Sequence, residues 1–285
     1  MTPSAAVGAR DAVPALVDTH CHLDARQFTG EPLTNVLDRA WQAGVVRLVT
    51  IGTDLESSQR AAELAGAHDG VYAAVGVDPN EASTYDSRAE ERLRELAGSP
   101  RVVAIGEIGL DYHWDRSPRD VQGASFRRQL ELARALDLPV VIHSRDASED
   151  TAAILEAWSA DHPWCGIRPL GVMHCFDGEL AWALRMRAAG FVMSFAGNVT
   201  YPHATRIQEV AEALPTDAFV METDSPYLAP QAERGRRNEP AYVSQVAHFV
   251  ASLRGVPMDE VARSTTANAC RLFGWPILER VPEAC

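Results

Sequence analysis

The sequence predicts an α/β protein, a (β/α)8 TIM barrel in a single domain, and three observations predict it. Short β-branched apolar runs recur eight times, longer segments with helical apolar spacing separate them, and no Gly-rich phosphate loop is present. Strands alternating with helices demand a parallel sheet, and eight such units close into a barrel. An open doubly wound sheet produces the same alternation, but most nucleotide-binding sheets of that kind carry the glycine loop missing here. The length of 285 residues suits one barrel, which takes roughly 250.

The first run covers residues 15–22 (ALVDTHCH), followed by 46–52 (VRLVTIG), 71–77 (VYAAVGV) and 102–108 (VVAIGEI). The series continues with 138–144 (LPVVIHS), 171–176 (GVMHCF), 191–197 (FVMSFAG) and 218–224 (AFVMETD). Helical spacing of apolar residues marks 33–43, 57–68, 88–98, 120–136 and 204–214. The last segment, 240–274, is long enough for two helices divided near Gly255 and Pro257, which would cover the final strand and the outer wall. No fixed-period repeat or low-complexity linker interrupts the series. Residues 15–285 therefore read as one barrel unit, preceded by a loose tail at residues 1–14.

Composition narrows the chemistry. The formal charge is −13, so no global positive field holds nucleic acid, and any polyanion must be met locally. All 26 basic side chains are Arg. The absence of Lys excludes Schiff-base chemistry, a P-loop lysine and a carbamylated-lysine metal bridge. Five Cys without a C-x-x-C pair, in a chain this large, read as reduced thiols in the cytoplasm. The first residues lack the continuous apolar stretch of a signal peptide, and no apolar run reaches the ~18 residues of a membrane span. Neither a membrane surface nor an obligate protein partner is expected.

Position makes the ionisable residues informative. Run one ends in Asp18-Thr19-His20-Cys21-His22, and period-two alternation sends both imidazoles to one face. Run four ends at Glu107, run five at His143, run six at His174, and run eight at Glu222 and Asp224. All sit at strand C-terminal ends, the rim where barrel enzymes keep their active sites. Singly, each has a plain structural explanation: a lone strand-end His is commonly a hydrogen-bonded core residue, and a strand-end Asp caps the next helix. Together, in a dry barrel mouth, they would cost several kcal/mol in desolvation and repulsion unless a cation offset it.

Six ligands exceed the need of one tetrahedral ion, so two ions are expected. His20, His22 and Asp224 surround one, His143 and His174 hold the other, and Glu107 bridges in the place of a modified lysine. Two cations about 3.5–4 Å apart can activate water and stabilise both oxygens of an in-line displacement, so the reaction class is hydrolysis. Asp224 is the candidate general base, Glu107 shares the catalytic role as the bridge, and Glu222 is a partner orienting a ligand His.

At this point the chain resembles the TatD family of metal-dependent deoxyribonucleases, within the amidohydrolase-type barrels. The matching stretches are VDTHCHLD at 17–24, GEIGLDYH at 106–113, PVVIHSRDA at 139–147, HCFDG at 174–178 and METDSPYLAP at 221–230. NEPAYV at 238–243 and TTANACRLFG at 265–274 are also similar. The departures are Asp177, where Ser is commoner, and His113, where another Tyr is often seen. The resemblance places His20, His22, Glu107, His143, His174 and Asp224 on the family's divalent-metal positions. It implies Mg²⁺- or Mn²⁺-type dependence and exonucleolytic cleavage of DNA, with RNA as an alternative. Four imidazoles by themselves favour Zn²⁺, Mn²⁺ or Co²⁺, so the metal stays open.

Substrate contacts are expected from Arg145, two residues past His143, as a phosphate fork, against the plain reading of an ion pair with Asp146. Tyr112, His113 and Trp114 form a candidate platform for a terminal base, against ordinary loop packing. Tyr227 has the same two readings, and Arg234, Arg236 and Arg237 crowd the loop after run eight as further candidate phosphate forks beside the metals, against the plain reading of a solvated cluster. Cys21 and Cys175 alternate away from the ligands into the barrel wall. A dinuclear hydrolase of an amide, ester or lactone would use the same centre, since activated water attacks carbon and phosphorus alike. A purely structural metal barrel that binds a partner fits less well, because structural sites are closed and this one opens on a rim.

Overall fold

The computed structural model describes residues 14–276. Residues 1–13 of the expected tail and 277–285 of the expected barrel unit lie outside the described residues. Eight parallel strands pair in chain order: β1 Leu16–Cys21, β2 Val45–Ile51, β3 Val71–Val75, β4 Val102–Asp111, β5 Val140–Arg145, β6 Gly171–Met173, β7 Phe191–Phe195 and β8 Phe219–Met221. The circuit is completed just beyond β8, where the Asp224 amide donates to the His20 carbonyl at 2.9 Å and the His22 amide to the Ser225 carbonyl at 2.7 Å. This is the (β/α)8 barrel the alternation predicts.

The helices are α1 Leu33–Gln42, α2 Leu55–Ala67, α3 Ser87–Ala97, α4 Arg119–Leu136, α5 Ser148–Ser159, α6 Leu180–Ala188, α7 Thr205–Ala213, α8 Val243–Arg254 and α9 Met258–Phe273. Local chemistry sets several of their ends. Asp54 caps α2 by accepting the Ser57 amide at 2.7 Å, and Asp86 caps α3 through the Ala89 amide at 2.8 Å. Gly255, in a left-handed conformation, ends α8. Among the described residues no helix is long and apolar enough to cross a membrane.

The core has two shells. Near the strand starts, Val17, Val103, Val141, Val172, Val192 and Val220 fill the barrel interior, and α9 brings Leu272 and Phe273 against them. Residues such as Leu16, Leu48, Ile105, Ile142 and Met193 pack outward under the helices. Strand ends differ most consequentially from expectation at three places. β4 runs on to Asp111, because β5 continues beside it and Asp111 pairs with Arg145. β6 and β8 stop early, at Met173 and Met221, and the chain then turns through left-handed residues, Cys175 at φ 45° and Asp224 at φ 54°.

Candidate metal centre

Two slips of register deliver the first ligands. Leu16 and Cys21 both pack outward although five residues apart, an odd separation that a regular strand would send to opposite faces. The β1–β2 register shifts between Asp18 and Cys21. His20 and His22 consequently reach the interior. β4 repeats the device: Ile105 and Ile108 both pack outward, the register shifts between them, and Glu107 turns in. Elsewhere a regular two-residue step suffices, from Val141 to His143, Val172 to His174 and Val220 to Glu222. Gly109 permits the closeness of β4 and β5, since its φ is 145° and a Cβ there would stand 1.9 Å from the His143 carbonyl oxygen.

All six expected ligands converge. His20 Nε2 lies 3.2 Å from His22 Nε2, and Asp224 Oδ1 is 3.7 Å from the first and 3.4 Å from the second. Glu107 Oε2 is 3.5 Å from His20 Nε2, while its Oε1 lies 2.7 Å from His143 Nδ1 and 3.2 Å from His174 Nε2. The His20 and His174 rings stack with centres 3.8 Å apart. Two overlapping groups have ligand atoms mutually within 4.8 Å: His20, His22 and Asp224, and His20, Glu107 and His174. The first matches the expected trio. In the second, His20 takes part as well, and His143 joins through Glu107 rather than pairing alone with His174.

The donor set fits a divalent cation. His22 donates from Nδ1 to the Ile51 carbonyl at 3.3 Å, which leaves its Nε2 lone pair aimed at His20 Nε2. Two imidazole nitrogens facing each other beside a carboxylate offer three donor atoms to one cation. The protein's own titration favours positive charge at this centre. Burial opposes charge on His174, yet Glu107 and Glu222 lift its pKa well above the ordinary value. Burial likewise opposes charge on His143, and Asp111 and Glu107 raise it to about 9. Burial works against ionised Glu107, but His174, His143 and His20 hold it well below the usual carboxylate range. His20 goes the other way, lowered by burial and by the neighbouring His174.

A family model described as TatD related DNase matches residues 17–274. The chain belongs to the TatD-related DNase family. It is 42% identical over 258 residues to a Bacillus subtilis (strain 168) protein named uncharacterized metal-dependent hydrolase YabD, covering 90% of this chain and 98% of that one. It is 36% identical over 258 residues to the 3'-5' ssDNA/RNA exonuclease TatD of Rahnella sp. (strain Y9602), covering 88% and 95%. The crystal structure of YJJV, a TatD homologue from Escherichia coli K12, superposes with a TM-score of 0.84 at 33% identity, covering 92% of this chain and 98% of that one.

Around this TatD-family centre, several side chains hold the ligands in place. Glu222 Oε1 sits 3.4 Å from His174 Nδ1, beside the ring it is expected to orient, and accepts the Cys175 amide at 2.6 Å. Asp111, to which the sequence reading gave no role, does more. Its Oδ2 lies 3.1 Å from His143 Nε2, and its Oδ1 accepts the amides of His113 and Trp114, both at 2.9 Å. Although burial opposes ionisation there, those partners hold the Asp111 carboxyl well below its ordinary range. A signal existed: period two from Glu107 through Gly109 lands on Asp111. Asp18, also unassigned, accepts the Thr223 amide at 2.9 Å and the Thr223 hydroxyl at 2.6 Å, fastening β1 to the exit of β8. Burial raises its pKa to about 8 against those hydrogen bonds.

The TatD-family cleft above the ligands has a volume of about 860 Å³. Its wall includes Arg145, Trp114, Arg116 and Tyr227. Tyr112 and His113 lie elsewhere. The Tyr112 hydroxyl donates to Asp150 at 2.7 Å with Arg119 stacked on its ring, and His113 Nδ1 sits 3.2 Å from Asp146. Arg145 is not ion-paired to Asp146 among the described residues; its guanidinium lies 5.9 Å from the Trp114 ring centre. Arg236 and Arg237 are held by Glu233, Glu31 and Glu239 instead of reaching the ligands, and Arg234 faces a neighbouring groove. Cys21 packs into the wall as expected, whereas Cys175 lines the cleft, because β6 ends before it and its left-handed turn breaks the alternation.

Proposed function

We propose that this protein is a metal-dependent exonuclease that shortens single-stranded DNA from an end, with RNA as a second substrate, and that His20, His22, Glu107, His143, His174 and Asp224 hold a pair of divalent cations. The observation that carries this reading is the meeting of five ligand-type side chains in two overlapping groups, with His143 joined to them through Glu107, open to a cleft whose wall bears Trp114, Arg116 and Arg145. Aromatic and guanidinium groups together suit a base and its phosphate. The name of the Rahnella relative points to the same substrates and to attack from the 3' end. Nothing in the cleft favours an amide, ester or lactone. A cytoplasmic setting is part of the proposal, resting on reduced thiols: Cys21, Cys165 and Cys175 are not joined in disulfides.

Divalent cations bound there would lower the pKa of a water and draw charge from the phosphoryl oxygens. The protein's share is orientation and proton transfer. Burial opposes ionisation of Asp224, yet His22 and the neighbouring imidazoles lower its pKa, so it stays a carboxylate through neutral pH and can accept the proton of the attacking water. As that water's oxygen bonds to phosphorus, the scissile P–O bond breaks, and its electron pair leaves with the sugar oxygen, which takes a proton from solvent. Glu107 lies by His20 with one carboxylate oxygen and by His143 and His174 with the other, and so ties these three rings together. Asp111 and the Ile51 carbonyl fix the rings of His143 and His22, and Glu222 stands beside His174 Nδ1 as its charge partner. Trp114 offers the terminal base a stacking face, and Arg145 offers its phosphate a fork.

The test is a chelator-stripped preparation reloaded with Mg²⁺, Mn²⁺ or Zn²⁺ and given end-labelled single-stranded DNA, RNA, and a panel of amides and esters. Stepwise shortening of the oligonucleotide, restored by one or more cations, is the expected result. Inert phosphodiesters with ready amide turnover would overturn the reading, as would full nuclease activity after verified metal loss.

A further inference from the structure

Beside the cleft lies a second groove of about 760 Å³ that shares two wall residues with it, Asp177 and Asn198. Its far wall is made by Tyr201, His203, Arg206 and Arg234. We propose that this groove holds the body of a single-stranded nucleic acid, the nucleotides inward of the one being removed, so that the strand lies across both cavities. The inference rests on the nuclease reading above and adds to it a binding site remote from the ligands.

Charge supports this occupant. In a protein of net charge −13, a polyanion running past a carboxylate-rich centre needs cations placed along its path. Most neighbouring arginines are already used: Arg236 is 3.0 Å from Glu233, and Arg237 is 2.6 Å from Glu239. Arg206 and Arg234 have no ion-pair partner among the described residues, and both are exposed. Their charge is free to meet phosphate.

The same pairing of ring and guanidinium occurs on both sides of the shared wall. In the cleft, the guanidinium carbons of Arg116 and Arg145 lie 5.7 and 5.9 Å from the Trp114 ring centre. In the groove, Arg234 lies 4.4 Å from the Tyr201 ring centre, and the Tyr201 hydroxyl is anchored by donating to the Ala229 carbonyl at 3.0 Å. A fixed ring beside an unpaired guanidinium stacks a base and holds its phosphate without reading sequence. Two such stations, joined at Asn198 and Asp177, form a track. A small amide or ester would need only the first.

The experiment compares the wild type with the double variant Arg206→Ala/Arg234→Ala, and with Arg206→Lys/Arg234→Lys as the conservative control. Binding of a fluorescein-labelled oligothymidylate of about twelve nucleotides is read by anisotropy in chelator, across a salt series, and hydrolysis of that oligomer and of thymidine dinucleotide is read with metal restored. The Ala variant is expected to bind the oligomer about tenfold more weakly and to raise its KM by a similar factor, with kcat and dinucleotide turnover held. Its slope of log affinity against log salt should fall by about 1.4, the loss of two single-strand phosphate contacts. The Lys variant should recover most of the affinity. If the wild type binds and cleaves the oligomer but the Ala variant changes nothing, or lowers both substrates alike, the groove is not the track and the nuclease reading stands. If the wild type neither binds nor cleaves either substrate, both fall.

Discussion

The two ends of the barrel are built from the same strands and differ by a step of two residues. At the strand starts, Val141, Val172 and Val220 meet Leu272 and Phe273 in an apolar layer. One step along each strand stand the half-buried His143 and His174 and the buried Glu222, all polar. The first layer gains from being dry because it has nothing to solvate. The second is dry at a cost, since its carboxylates and imidazoles satisfy one another only in part: His20 Nδ1, His174 Nδ1 and Glu222 Oε2 are buried without a hydrogen-bond partner. Stability is therefore concentrated at one end and spent at the other, as expected where a site is built for a charge brought from outside.

The sharpest way to break this contrast is to cut each end once. Asp224→Asn keeps the shape of the rim and removes its base; kcat on single-stranded DNA should fall about 10²–10⁴-fold. Phe273→Ala opens a cavity at the far end and should cost about 3–5 kcal/mol in urea unfolding, with kcat per folded molecule retained. Should Asp224→Asn destabilise as much as Phe273→Ala while leaving kcat intact, the division of labour between the ends is wrong. The next largest effect belongs to Asp111, which touches His143 from outside the ligand groups. Asp111→Asn should weaken metal affinity or activity about 10–100-fold, measured by metal titration and steady-state rates.

Much of this was legible from the chain. The helices around 57–68 and 88–98 begin within two residues of where periodicity places them, because Asp54 and Asp86 give each a cap at its start. The division near Gly255 and Pro257 separates α8 from α9. The candidate ligands stood out because each lies at the end of an apolar run. Asp111 was passed over because Gly109 and the polar residues after it look like a loop, and only the pairing with β5 keeps them extended. Asp18 finds its partner Thr223 across 205 residues of chain, which no local pattern reveals. The register slips in β1 and β4 are equally hidden, since they are properties of neighbouring strands. Side-chain direction on loops was the least legible: Tyr112 and His113 turn to Asp150 and Asp146, while Trp114 takes the cleft wall.

That last difference sharpens the picture of the rim at its outer edge. Trp114→Ala removes a stacking face of the order of 1–3 kcal/mol per base and should raise KM for single-stranded DNA about tenfold. Tyr112→Phe removes only the hydroxyl bonded to Asp150 and should leave KM unchanged. Equal effects from both substitutions would return Tyr112 to the substrate platform.

The contrast between the two ends also predicts a pH dependence in the metal-free protein. His143 has its pKa raised to about 9, with burial opposing and Asp111 and Glu107 prevailing, while an unfolded chain would titrate near 6.5. A raised folded value means that the protonated ring stabilises the fold. The contribution is complete below about pH 6.5 and disappears as pH climbs through about 9. Thermal unfolding of the stripped protein and of His143→Gln should therefore differ most near pH 6, and the gap should narrow toward pH 10. A gap that is flat or widening with pH would show that His143 is not held as a cation by its two carboxylates. With metal present the sign reverses, because proton and divalent ion compete for the same ring: affinity should climb from pH 6 toward 9. Val141, Val172, Val220 and Leu272, which pack with Phe273, do not titrate, so the cost of Phe273→Ala should vary far less with pH than that of His143→Gln.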